Sequence, residues 1–366
     1  MHTDRDLLIV NSVYQLLTAV NLRHTLLRGR TADLILTDVL PHQQDYAGRV
    51  RETGAFDRVI LARTAELNRK YTVGKPEEIS EGYDQIDRIF RWVLAEELAD
   101  YEKVYFANFD TFTRMLACRL GPACEFVWYE DGFSSYVIHY LREDRAAVNR
   151  HPKGSAIADR VRTALLYEPR LAMRGDAICN RALPKIDQSD TQLRERLNYI
   201  FDYRPPQEGA PFIFLEQSFR ADRLRTNDID LMRECRQAVG PSQFIVKPHP
   251  RNPENVPLRL GLTRRYTDRS PWELLLLNGD VRGKTVLTVC SNAALTGRLV
   301  FGLDLPTVML YELFEGKVLW QEDAVLRRYL RAFQRQFAGE NYYVPKTVYE
   351  LRSILHYLGG HHANGD

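Results

Sequence analysis

Short apolar runs that each end on a polar residue or glycine alternate along this chain with longer stretches whose apolar residues fall at helical spacing. Residues 7–10 (LLIV) stop at Asn11 and Ser12, and 13–27 then carry apolar side chains on one helical face. Residues 34–36, 59–61, 104–107 and 126–129 are further runs of this kind, with a helical pattern over 111–120. Runs too short to be helices, apolar throughout and separated by helices, are strands buried on both faces. Strands alternating with helices of ten or more residues are βαβ units around a parallel sheet. The pattern predicts an α/β protein and a first Rossmann-like domain.

The rhythm fades between about 142 and 207, where Arg is frequent and Pro152, Gly154, Pro169 and Pro184 interrupt. Residues 204–209 (RPPQEG) read as an interdomain linker. Alternation resumes with PFIFLEQ at 211–217, a helix over 228–239 and a strand over 243–247. A helix near 272–277, a strand at 285–289, a helix from Asn292 and a strand at 307–310 follow. At 366 residues the chain is too long for one ordinary core and sufficient for two. The expected organisation is an N-terminal domain over 1–205, a C-terminal Rossmann-like domain over 210–320, and C-terminal helices over 321–366. The last part holds a basic amphipathic helix (AVLRRYLRAFQRQF) and a second one over 348–358 that Thr347 can cap.

Composition removes several classes of function. Fifty Lys and Arg stand against 48 Asp and Glu, a net charge of +2, which gives no footprint for nucleic acid. The five cysteines, Cys118, Cys124, Cys179, Cys235 and Cys290, are scattered and lack CxxC spacing. Buried free thiols in a reducing compartment are expected rather than a zinc site or disulfides. No apolar stretch reaches the roughly 18–20 residues of a membrane span, and a cytoplasmic location is expected.

Open α/β sheets bind ligands beyond the carboxyl ends of their strands, so the residues at those ends decide function. Three clusters stand there. After EFVWY come Glu130, Asp131 and Gly132; either carboxylate could take a proton from a hydroxyl if burial or its neighbour raises its pKa. An Asp-Gly pair is also an ordinary turn. After the strand QFIV comes Lys247-Pro248-His249-Pro250-Arg251, a histidine stiffened by two prolines and flanked by two cations. It suits a phosphate leaving group; a surface turn is the plain alternative. Third, Ser291 and Asn292 lead from a strand into a helix, where free N–H groups and a hydroxyl form an anion site or simply an N-cap. Asn11, Ser12 and Gln15, at the end of the first strand, are candidate contacts to acceptor or donor.

In order and rough spacing, Glu130-Asp131-Gly132, His249-Pro250 and Ser291 resemble the D/E-D/E-G, HP and Ser/Thr motifs of bacterial sialyltransferases. The opening LLIVNSVYQLLTAVNL is similar to the first strand and helix of the lipooligosaccharide sialyltransferase and capsular polysialyltransferase families. About 40 residues carry the likeness directly. It implies a GT-B fold, two Rossmann-like domains facing across a cleft, and inverting, metal-independent transfer from a CMP-linked donor to a glycan acceptor. By the same resemblance Glu130 is the general base with Asp131 next in line, His249 the general acid or phosphate partner, and Ser291, helped by Asn292, the holder of the CMP phosphate. Pro250, through the HP motif, and Lys247 and Arg251, on electrostatic grounds, complete the expected donor pocket. Asp222 and Asp228 remain alternative bases, because some relatives draw theirs from another segment.

Two weaker features complete the reading. Asp228-Ile229-Asp230 has the DxD pattern of metal-dependent transferases, but falls in a helix, where carboxylates two residues apart diverge. The arginines of the helix near 327–335 suit a solvated face or an anionic surface. A peripheral contact at the inner membrane face and a homodimer are both compatible with the sequence. The rival donors are CMP-Kdo, another nonulosonic acid or a UDP-hexose; the rival class is a non-catalytic glycan- or phosphate-binding protein on the same fold.

Overall fold

The computed structural model describes residues 4–71, 76–142, 144, 157–206, 209–266, 270–316, 323–337 and 341–363. The chain divides into two compact units, Met1–Asp202 and Tyr203–Asp366. Residues 207 and 208 of the expected linker, and Pro152 and Gly154, lie outside the described residues.

Unit 1 is built on seven parallel strands in the order β3-β2-β1-β4-β5-β6-β7. They are β1 (Arg5–Val10), β2 (Thr31–Thr37), β3 (Arg58–Ala62), β4 (Lys103–Phe106), β5 (Glu125–Tyr129), β6 (Val161–Leu166) and β7 (Cys179–Ala182). The central strands read as unbroken apolar runs because both faces are covered: Leu7, Leu8, Leu34, Ile35, Val104 and Phe126 have no exposed surface. The helix Val13–His24 packs behind them, its first turn capped by Ser12 Oγ accepting from the Gln15 N–H at 3.2 Å.

Strands β6 and β7 are absent from the sequence-based expectation, and the reason is physical. β6 is VRTALL, with Arg162 exposed in mid-run. β7 is CNRA, the outer strand of the sheet and mostly exposed, so it has no apolar pattern to betray it. Its edge position leaves Cys179 exposed, and Cys118, near the end of the helix Thr111–Arg119, is half-buried, correcting the expectation that all five thiols are enclosed; Cys124, Cys235 and Cys290 are.

Unit 2 carries five parallel strands in the order β12-β11-β10-β8-β9: β8 (Phe212–Leu215), β9 (Phe244–Lys247), β10 (Thr285–Thr288), β11 (Thr307–Met309) and β12 (Tyr342–Tyr343). The final helix, Val348–Ala363, belongs to this unit and packs along the helix Asp228–Val239. Thr347 Oγ1 accepts the Glu350 N–H at 3.1 Å, the cap that the sequence suggested, and Glu350 in turn accepts the Lys346 N–H at 2.7 Å. Among the described residues no helix is long and apolar enough to cross a membrane.

Both strand orders reverse direction once. In unit 1 the reversal lies between β1 and β4; in unit 2 it lies between β8 and β10. At such a point the loops leave in opposite directions and open a crevice at the carboxyl ends.

Candidate functional site

The residues after β1, β4 and β5 interlock in unit 1. Asn11 Nδ2 donates to Asn108 Oδ1 at 2.8 Å, and Gln15 Nε2 donates to the same oxygen at 2.7 Å. The Gln15 Oε1 accepts the Asn11 N–H at 2.7 Å, and Thr37 Oγ1 donates to Asn11 Oδ1 at 2.7 Å. With both acceptors on its carbonyl side satisfied, Asn108 turns its amide Nδ2 toward Asp131 Oδ2, at 3.2 Å. The Asp131 N–H is held by Ser135 Oγ at 2.8 Å.

The two acidic residues of the motif have different surroundings. Glu130 is fully buried: its Oε1 accepts from Tyr14 Oη at 3.0 Å, and its Oε2 from the Tyr167 N–H at 2.8 Å and from Tyr136 Oη. Burial pushes its carboxyl up to about 7 against the pull of those donors. Asp131 is only partly buried. Its pKa is also raised by desolvation, opposed by the amides of Gln15 and Asn108. Of the pair, it is the second residue that has surface to offer a ligand.

Other buried carboxylates of this unit are treated differently. Asp33 has Arg5 at 2.9 Å, Asp6 has Arg30 at 2.5 Å, and Asp144 has Arg114 at 2.8 Å. Ion pairing is the usual condition for burying a carboxylate. Glu130 and Asp131 are bonded by phenols, amides and backbone N–H groups alone, which leaves their pKa values high rather than low. Asp110, which caps the helix Thr111–Arg119, sits beside them, accepting from Thr113 N–H at 2.8 Å and Asn68 Nδ2 at 3.2 Å.

In unit 2 the strand ends set basic side chains beside acidic ones. The His249 N–H donates to Glu216 Oε2 at 2.8 Å, and Glu216, buried at the end of β8, also holds Arg220. The Arg251 N–H donates to His249 Nδ1 at 3.2 Å, so the neutral ring carries its proton on Nε2. Burial, and then the Arg251 charge, push the imidazole down to about 4 against the pull of Asp222. His249 is thus uncharged at neutral pH, a hydrogen-bond donor rather than a ready proton source. Arg251 donates to Ser218 Oγ at 2.8 Å and lies 3.9 Å from Asp222, which also accepts from Ser218 Oγ at 2.6 Å.

The remaining expected residues divide. Lys247 is drawn elsewhere: its Nζ donates to the Ser270 carbonyl at 3.0 Å and stands over the Tyr266 ring at 4.7 Å. Pro250 is exposed. The helix after β10 is Ala293–Phe301, with Asn292 rather than Ser291 at its N-cap; Ser291 Oγ still accepts the Ala293 N–H, at 3.3 Å. Asn292 Oδ1 is buried without a hydrogen-bond partner among the described residues. Asp228 is buried against Arg220 at 3.0 Å and Thr226 Oγ1 at 2.6 Å, while Asp230 is exposed and paired to Arg233 at 2.5 Å. The two carboxylates diverge, as their helical spacing requires.

Asn108, Tyr14, Glu216 and Ser218 were not singled out in the sequence. Asn108 carries the same signal as Asn11, an apolar strand stopping on an asparagine. Glu216 and Ser218 end the run PFIFLEQS in the same way.

No protein-family model matches the sequence, and no curated protein does. Solved structures do match in fold. An α/β-galactoside α-2,3-sialyltransferase from the luminous marine bacterium Photobacterium phosphoreum aligns at TM-score 0.52 and 10% identity, over 93% of this chain and 98% of its own. The spinosyn forosaminyltransferase SpnP aligns at TM-score 0.50 and 11% identity, over 98% of this chain and 93% of its own. The protein is therefore an α/β protein of the GT-B fold, with two Rossmann-like domains. Among the described residues, Glu130 and Asp131 of unit 1 have no ion-pair partner, whereas His249 of unit 2 lies beside Arg251.

Proposed function

We propose that this protein is an inverting glycosyltransferase that moves sialic acid, or a related nonulosonic acid, from a CMP donor to a hydroxyl of a bacterial surface glycan. The observation that carries the reading is Asp131: a partly exposed carboxylate at the end of β5, bonded only by neutral groups. A raised pKa in such a position fits a general base for an acceptor hydroxyl. Glu130, sealed by Tyr14, Tyr136 and Tyr167, serves as the anchor that fixes the turn on which Asp131 stands. In this reading the departing CMP phosphate meets His249 Nε2–H, the Arg251 guanidinium, and the Ser291 hydroxyl with the N-terminus of its helix. The His249 Nε2–H hydrogen-bonds the phosphate oxygen on which charge builds, and CMP leaves as the anion. The step balances. The acceptor oxygen forms a bond to the anomeric carbon as the bond to the CMP phosphate breaks, and the acceptor proton passes to Asp131.

The reading needs no metal. It gains support from the sequence motifs and from the fold shared with a sialyltransferase. A thermal-shift screen with CMP, UDP and GDP, each with and without EDTA, tests it. Stabilisation by CMP alone, unaffected by EDTA, is expected. A shift with UDP alone would replace the donor, and a shift lost in EDTA would replace the mechanism.

A further inference from the structure

The helix Val13–His24 begins at the acidic strand ends and, at 1.5 Å per residue, finishes roughly 18 Å away, at the opposite edge of the sheet. Around its end lies a recess of about 250 Å³ lined by Arg23, His24, Arg28 and Arg196 and by the bare backbone of Gly29 and Gly54. Gly29 and Gly54 take φ of +83° and +60°, and a Cβ at either would meet nothing, so the recess is open on that side.

Most arginines near this edge have an evident employment. Arg5, Arg30 and Arg58 neutralise Asp33, Asp6 and Glu96. Arg23, Arg28 and Arg196 have no ion-pair partner among the described residues, and the Arg23 Nε–H is enclosed without any acceptor. Arg23 is itself steadied by one bond, from Nη1 to the Leu27 carbonyl at 2.8 Å. Asp190 is already engaged: it takes His24 Nε2 at 2.7 Å and caps the helix Thr191–Ile200 through Leu193 N–H at 2.9 Å. Arg23, Arg28 and Arg196 thus line one recess with no ion-pair partner among the described residues, so their charge is open to an anion from outside the chain.

We propose that Arg23, Arg28 and Arg196 form a second anion site, on the rear edge of unit 1, that takes a phosphate group of a phosphomonoester or phosphodiester. The planar fork of arginine suits phosphate oxygens two at a time. The site is independent of the catalytic reading. Its ligand is either a free phosphorylated molecule or the headgroup of an anionic lipid.

Arg28→Ser/Arg196→Ser in the full chain tests the site, with Arg28→Lys/Arg196→Lys as a control that keeps the charge but loses the fork. Calorimetric titration with inorganic pyrophosphate reads the free-ligand arm; flotation with phosphatidylglycerol vesicles, against phosphatidylcholine vesicles, reads the lipid arm. Binding in at least one arm is expected, weakened tenfold or more in the serine variant, by less in the lysine variant, and with CMP binding unchanged. The arm that responds identifies the source. Binding in neither arm, or binding that survives unchanged in the serine variant, overturns the proposal. Weakening of CMP and pyrophosphate binding alike would also overturn it, since the loss would then be one of folding.

Discussion

The strand ends of the two units obey one backbone rule and carry opposite chemistry. Unit 1 surrounds its carboxylates with phenols and amides, so desolvation wins and Glu130 rises to about 7. Unit 2 half-buries its imidazole beside the Arg251 charge, so His249 falls to about 4. Each group is thereby kept neutral over part of the range in which a free counterpart would be charged. The lesson is that burial next to neutral donors readies an acid–base group for protons, whereas burial next to a cation readies a donor for an anion.

The comparison can be broken at either end. The largest effect is expected from Asp131→Asn, which keeps the Asn108 contact but removes the basic oxygen: kcat should fall about 10³-fold with CMP affinity unchanged, as read by steady-state turnover and calorimetry. A smaller loss, about 10²-fold in kcat/KM, is expected of His249→Ala, because a donor to the leaving group is removed. Arg251→Ala, which removes one exposed cation, should weaken CMP binding about tenfold at low salt, on the order of 1.4 kcal/mol, and less at high salt.

The smallest effect concerns stability and has opposite signs in the two units. A Glu130 carboxyl raised from 4.5 to about 7 stabilises the fold fully below pH 4.5, and that contribution is lost as pH rises through 7. A His249 imidazole lowered from 6.5 to about 4 does the reverse: its contribution is present above pH 6.5 and lost as pH falls toward 4. Melting curves from pH 4 to 8 should therefore show Glu130→Gln flattening a decline toward neutral pH, and His249→Gln flattening a decline toward acid. Identical slopes in wild type and both variants would dissolve the contrast.

Much of the architecture was legible because buried parallel strands have a plain signature. LLIV at β1, VYF at β4 and FIFL at β8 can be little else between helical stretches. The exposed edge strand β7 has no such signature, and β6 is broken by an exposed arginine. At the strand ends, the motifs name the loops after β5, β9 and β10 but not their inner arrangement. Nothing in Glu130-Asp131 says that the first carboxylate points into three donors and the second outward, since the donors come from residues 6 to 116 positions away. Lys247 looked like a phosphate ligand by adjacency alone, and its partners Ser270 and Tyr266 lie about 20 residues on.

The proposed transfer pairs Asp131 as proton remover with His249 as partner of the departing anion. Incubating the protein with CMP-sialic acid and a galactose-terminated acceptor, and following CMP release, tests it most directly. Acceptor-dependent release, strongly reduced in both Asp131→Asn and His249→Ala, is the result expected. No release, or full activity in either variant, would contradict it.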